Sequence, residues 1–197
     1  MKKITIGLIG NPNTGKTTLF NQLTGARQRV GNWAGVTVER REGQFFTALS
    51  DVHLIDLPGT RSLTTLSAES SIDESIACQY LYQDHADVVI NVVDASSLES
   101  NLFLTLQLLE LGVPCIIALN MQDIAASHNI TIDVAALSAR LGCPVVSLTS
   151  TKGDGIAQLK ALIDQPHVYR PPERVRYPGA VETAVEQLSL PVSYTHL

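Results

Sequence analysis

Near the N-terminus, Gly10-Asn11-Pro12-Asn13-Thr14-Gly15-Lys16-Thr17 places two glycines, a lysine and a threonine at the spacing of a phosphate-binding loop. Each residue type has a task. Gly10 and Gly15 let the main chain wrap closely, Lys16 puts a cation on the terminal phosphates, and the Thr17 hydroxyl can ligate magnesium. The apolar run Ile4 to Ile9 leads into the loop, and Thr18-Leu-Phe-Asn-Gln-Leu leaves it with a helix-compatible pattern. Strand, loop and helix in that order aim backbone N–H groups and a helix N-terminus at one anionic group. Gly, Asn and Pro also cluster in ordinary turns, so the flanking elements are what favour the phosphate reading.

Three later groups have chemistry that fits a nucleotide. Asp56-Leu57-Pro58-Gly59 offers a carboxylate for magnesium and a Gly59 amide for the terminal phosphate, although Asp-x-Pro-Gly also ends plain strands. In Asn120-Met121-Gln122-Asp123 the Asp123 carboxylate can accept two hydrogen bonds from the ring N–H and exocyclic amine of guanine. Adenine has no such donor pair, and Met121 can pack on the purine face. Taken alone, Asn-x-x-Asp is more often a helix-capping turn. In Ser150-Thr151-Lys152, small residues let a backbone N–H approach the guanine carbonyl. Taken in order, these groups predict GTP and GDP as ligands.

The elements that must position them alternate. Strands are expected at Lys3 to Gly10, Gly43 to Ala48, Val52 to Leu57, Val88 to Val93, Cys115 to Asn120 and Val145 to Leu148. Helices are expected at Gly15 to Thr24, Ile72 to Gln83, Glu99 to Leu111, Val134 to Leu141 and Gly155 to Ile163. This predicts an α/β domain over residues 1–165, a mostly parallel six-stranded sheet with helices on both faces and one antiparallel hairpin. Ligands then sit beyond the carboxyl ends of the strands, where every loop named above falls. Arg27 to Arg41 lacks periodicity and reads as a long loop. Residues 166–179 read as a linker, and 180–197 as the start of a further helical part with a tail that has no usable pattern.

Composition narrows the classes. With 197 residues and a net charge of -5, the chain suits one full core and argues against a nucleic-acid surface. Cys78, Cys115 and Cys143 are widely spaced among apolar residues, which suggests reduced core thiols and a cytosolic setting. The longest apolar stretch, Leu102 to Leu119, is broken by Gln107, Glu110, Gly112 and Pro114, so no transmembrane segment is expected. His53, His85, His128, His167 and His196 are scattered without metal-ligand spacing.

The loop Gly10 to Thr17 continuing Thr18-Leu-Phe-Asn, the stretch Gln28-Arg-Val-Gly-Asn-Trp-Ala-Gly-Val-Thr-Val-Glu39, Asp56-Leu-Pro-Gly-Thr60 and Asn120-Met-x-Asp123 together resemble the FeoB family. Its members are bacterial ferrous-iron transporters with a cytosolic N-terminal GTPase domain of the translation-factor class. The resemblance covers about residues 1 to 165. It implies a Ras-like P-loop GTPase fold, then a helical spacer and a polytopic membrane domain at the cytoplasmic face of the inner membrane. It also implies that Thr37 is the switch threonine, joining Thr17 and Asp56 on magnesium, with Gly35, Val36, Val38 and Glu39 near the nucleotide. Potassium would be held by Asn13 and by backbone carbonyls from Gly31 to Trp33. The implied partners are GTP and the membrane domain, with no nucleic acid and with homo-oligomers left open. Where the family pattern has a lysine in its guanine motif, this chain has Met121 and Gln122.

The reaction implied is attack of water on the terminal phosphoryl group, with Lys16, Asn13, Thr37 and the Gly59 amide as the catalytic set. Thr60 stands where Ras-type enzymes carry a water-orienting glutamine, so turnover should be slow. Two other readings remain: a regulatory GTP-binding module that does not depend on turnover, and a ribosome- or tRNA-associated GTPase. Arg61 is expected to be solvated, residues 39–42 to form a charged strand edge, and Trp33 to be a loop residue rather than a core anchor.

Overall fold

A computed structural model of the chain describes residues 1–25, 27–63, 71–83 and 86–171. The expected helical part after 179, the tail, most of the linker, His85 and His196 lie outside them. The sheet has seven strands: β1 (Lys2–Gly10), β2 (Gln28–Asn32), β3 (Glu39–Phe46), β4 (Ser50–Asp56), β5 (Val88–Asp94), β6 (Cys115–Asn120) and β7 (Val145–Ser147). Their spatial order is β2-β3-β4-β1-β5-β6-β7. β3 pairs antiparallel with both β2 and β4, and the remaining pairs are parallel.

The helices are α1 (Lys16–Thr24), α2 (Ile72–Gln83), α3 (Leu98–Glu110), α4 (Gln122–Ser127), α5 (Val134–Leu141) and α6 (Ile156–Ile163). Because successive strand residues face opposite ways, the sheet divides the core into two layers. Ile4, Ile6, Leu8, Val52 and Leu54 meet α1 and α6 through Phe20, Leu23, Leu159 and Ile163. Ile9, Ile55, Leu57, Val89 and Val93 meet α2 and α3 through Ala77, Tyr80, Leu104 and Leu108. At Gly43 the sheet comes so close to α1 that an added Cβ would run into the Thr24 side chain.

The seventh strand is the main departure from the six expected. Residues 28–32 lie inside the predicted loop yet pair with 39–43, from Gln28 against Gly43 to Asn32 against Glu39. Val30 and Gly31 give no apolar alternation to read, since β2 is an edge strand exposed along almost its whole length. This also corrects the reading of 39–42 as a strand edge: β3 is interior, covered by β2. The domain reaches beyond 165 as well, because 166–169 form a 3-10 turn that buries Val168.

Candidate nucleotide site

β1, β4, β6 and β7 all end at one rim of the sheet, so the loops leaving them share it. The phosphate loop turns sharply there, with Asn13 at φ 67° and Gly15 at φ 85°. A side chain at Gly10 would come within 2.6 Å of the Val92 carbonyl, and one at Gly15 would strike the Asn120 amide. Glycine is required at both for that reason. Thr14 is buried and its hydroxyl donates to the Asn11 carbonyl at 2.9 Å. Asn11 is nearly buried, whereas Pro12, Asn13 and Thr17 are exposed. Lys16 and Thr18 are half-buried.

Lys16 Nζ forms an ion pair with Asp56 at the end of β4. Burial pushes the Asp56 carboxyl up from its ordinary value, and the Lys16 ammonium and then Arg41 pull against it. The sequence places Arg41 only in a charged strand stretch; its nearness to Asp56 comes from the register that pairs the two. After Asp56 the chain is tied to the phosphate loop, the Thr60 N–H donating to the Gly10 carbonyl at 3.2 Å. Gly59 lies against Pro12, and Leu57 is in the core, leaving Pro58 half-exposed.

Asn120 is a bracket. Its Nδ2 donates to the Thr14 carbonyl at 2.9 Å, and its Oδ1 accepts from Ser150 N and Ser150 Oγ, both at 2.9 Å. It therefore fixes the phosphate loop to the 150–152 loop. Met121 takes a left-handed backbone, φ 61°, to start the short α4 that the sequence did not reveal. Asp123 follows in its first turn, half-exposed, with Lys152 Nζ 3.4 Å from Oδ2. Thr151 and Lys152 are exposed and Ser150 is buried.

The loop 33–38 leaves β2 at the same rim, because β2 runs parallel to β1, but at the outer edge of the sheet. In register Leu8, Asp56, Arg41 and Val30 lie level, which puts β2 three strand spacings, roughly 14 Å, from β1. Gly31 is held in β2, and the Trp33 carbonyl accepts from Val36 N at 3.3 Å. Gly35 and Thr37 are exposed, Val36 and Val38 pack on the core, and Glu39 pairs with Arg41. Trp33 corrects another expectation: it is 8% exposed, a core residue edge-on to Tyr80. Arg61 is exposed.

Asp56 and Thr17 supply the hard oxygen donors that suit magnesium, and the carboxylate ends its strand beside the phosphate-loop lysine. Of the expected potassium set, Gly31 stands in β2 opposite Arg40 and the Trp33 carbonyl accepts from Val36 N, both at the outer edge of the sheet, while Asn13 is in the phosphate loop after β1. Among the described residues no three His, Cys, Asp or Glu side chains gather to hold a metal. Nor is any described helix long and apolar enough to cross a membrane.

This strand order, with a phosphate loop on the central strand and the Asn120 bracket joining it to the loops of β6 and β7, defines a Ras-like P-loop GTPase fold. The family model described as ferrous iron transport protein B matches residues 4–163, and the chain belongs to that family. The Fe(2+) transporter FeoB of Shigella flexneri is 68% identical over 177 residues, 90% of this chain. That of Escherichia coli K12 is 67% identical over the same length. The chain spans 23% of the length of these relatives. The cytosolic domain of L. pneumophila FeoB superposes with a TM-score of 0.85 at 43% identity, covering 93% of this chain and 77% of that one. A mutant of S. thermophilus NFeoB bound to GDP gives 0.82 at 43% identity, covering 95% and 70%.

Proposed function

We propose that this domain binds GTP and GDP with magnesium and hydrolyses GTP slowly, as the nucleotide switch of a ferrous-iron transporter whose membrane domain it regulates. The observation that carries the reading is the Asn120 bracket. It holds the phosphate loop and the Ser150 loop at a fixed spacing with Asp123 three residues on, so one ligand with phosphates at one end and a guanine edge at the other fits both. The S. thermophilus relative bound to GDP supports the same ligand class.

Lys16 would move from Asp56 to the terminal phosphates, and Asp56 with Thr17 would hold the magnesium that offsets phosphate charge. The Gly59 amide would register the terminal phosphate, while Thr37 must travel from the outer edge of the sheet to reach it. Asn13, exposed at the loop apex, is the phosphate-loop contribution to potassium stimulation. The test is hydrolysis of GTP against ATP by the purified chain, in potassium and in sodium, with Lys16→Ala and Asn13→Ala. GTP-selective turnover lost in Lys16→Ala is expected; equal use of ATP would end the proposal.

One observation favours a second reading, a regulatory module in which binding matters more than turnover. Thr60 is 2% exposed and donates its hydroxyl to the Ser62 carbonyl at 2.6 Å, so it cannot orient a water. Iron uptake by a full-length transporter carrying a hydrolysis-dead but GTP-binding variant separates the two.

A further inference from the structure

Trp33 occupies an unusual place for a residue in an exposed turn. Asn32, Ala34, Gly35 and Thr37 around it are exposed, yet Trp33 is buried and belongs to the core layer that holds Tyr80. The Tyr80 ring meets it edge-on, centroids 5.9 Å apart at 76°. The Arg40 guanidinium lies over it at 4.6 Å and is itself held by Glu42 at 2.6 Å. Two backbone hydrogen bonds close the turn on itself, Trp33 N–H to the Val38 carbonyl at 2.9 Å and Val36 N–H to the Trp33 carbonyl at 3.3 Å. Against these contacts stands one opposing feature: Trp33 Nε1 is buried and finds no hydrogen-bond partner among the described residues. An indole N–H normally finds one when buried.

The ring is thus held by apolar and cation–π contact and destabilised by an uncompensated N–H, the balance expected of an element with two positions. While it is docked, Thr37 stays on the far edge of the sheet. Bringing Thr37 to a terminal phosphate breaks both backbone bonds and draws the indole out, where its N–H can meet water. We propose that Trp33 is a latch, docked on Tyr80 and Arg40 when the nucleotide ends in a β-phosphate and released when a γ-phosphate recruits Thr37. The release is felt in α2. Tyr80 belongs to that helix, which follows the Asp56–Gly59 loop, and its ring also touches β1, where a Cβ on Gly7 would sit 3.2 Å from Tyr80 Cε1. One aromatic side chain therefore touches the first switch loop, from the helix after the second, against the strand that feeds the phosphate loop. This inference rests on the GTP-switch reading above.

Trp33 is the sole tryptophan of the chain, so its fluorescence reports the latch directly. Acrylamide quenching of the unmodified chain is measured in saturating GDP and in a non-hydrolysable GTP analogue, each with magnesium, with binding of both measured separately by equilibrium dialysis. Quenching should be weak in GDP and rise severalfold in the analogue. In Arg40→Ala, which removes the stacked cation without opening a cavity, affinity should shift roughly two- to fivefold toward the analogue relative to GDP, the scale of one cation–π contact. Tyr80→Leu should shift it the same way. An analogue that binds but leaves quenching unchanged, or an Arg40→Ala affinity ratio equal to that of the unaltered chain, would overturn the latch and leave the GTP reading intact. An analogue that does not bind would overturn both.

Discussion

Asn120 and Thr14 are separated by 106 positions in the chain and joined by one buried hydrogen bond of 2.9 Å. The other end of the Asn120 amide accepts twice from Ser150, so a single side chain sets the distance between the loop that would bind phosphate and the loop that would face the base. Asn120→Ala should therefore weaken GDP binding by on the order of 10- to 100-fold, since buried partners left unmade cost about 1–3 kcal/mol. Titration with GDP checks it. A variant that folds normally and binds as tightly as the parent would show that the bracket does not set the site.

Asp123 tests the base. Replacing its carboxylate with the amide of Asn presents a donor to the guanine ring N–H and amine, so Asp123→Asn should lower GDP affinity by roughly a hundredfold. The side chain is 36% exposed, which places the expectation below that for a fully buried polar match. Xanthine carries a carbonyl where guanine carries the amine, and its diphosphate should lose nothing or gain. Competition titrations with the two diphosphates decide it.

Much of this architecture is legible in the residues themselves. The phosphate loop announces itself because its glycines, lysine and threonine are local in sequence, and the apolar strands β1, β5 and β6 because both of their faces are buried. What stays hidden depends on partners distant in sequence. β2 is an exposed edge whose strand character exists only through β3, and α4 is too short for a periodicity to show. Arg41 reaches Asp56 only through the β3–β4 register. A tryptophan among Gly, Asn and Ala reads as loop, while the socket that buries Trp33 is assembled from α2 and β3, distant in sequence.

Gly43 in β3 and Gly31 in β2 lie in adjoining strands but in opposite surroundings. A methyl at Gly43 would collide with Thr24 and come within 3.1 Å of Phe20 Cζ, so Gly43→Ala should cost about 1–3 kcal/mol through overpacking. At Gly31 an added Cβ meets nothing within 4 Å, and Gly31→Ala should stay within about 0.5 kcal/mol of the parent. Urea unfolding of both variants checks the contrast, and equal destabilisation would contradict the close approach of α1 to β3.

Asp164 gives the domain an acid-sensitive clamp. The residue follows α6 and accepts from Thr47 Oγ1 at 2.6 Å, Ser50 Oγ at 2.9 Å and Leu49 N–H at 3.2 Å, tying α6 to the β3–β4 turn. Burial works against ionisation, but these hydrogen bonds outweigh it and hold the carboxyl below its usual range. A depressed carboxyl stabilises above its unfolded pKa of about 3.9 and loses that contribution as pH falls through the lower folded value. Asp164→Ala should thus melt below the parent at pH 7, with the gap narrowing towards pH 3. A gap independent of pH would show that the carboxylate charge contributes nothing.

The cysteines should be silent until the fold opens. Ile117 pairs with Val145 in parallel register, which sets Cys115 and Cys143 abreast two residues earlier on neighbouring chain segments. Burial pushes the Cys143 thiol up to about 12 and Cys115 well above the ordinary thiol value, with Cys143 adding to the shift at Cys115. Cys78 is raised by burial and then by Glu74, and its thiol donates to the Leu63 carbonyl at 3.0 Å. Only the thiolate attacks an alkylating reagent, so near pH 8 all three should react far more slowly than a free thiol and together in urea. Iodoacetamide labelling followed by mass measurement checks this, and a native cysteine alkylated at the rate of a free thiol would contradict the closed packing along β6 and β7 or around α2.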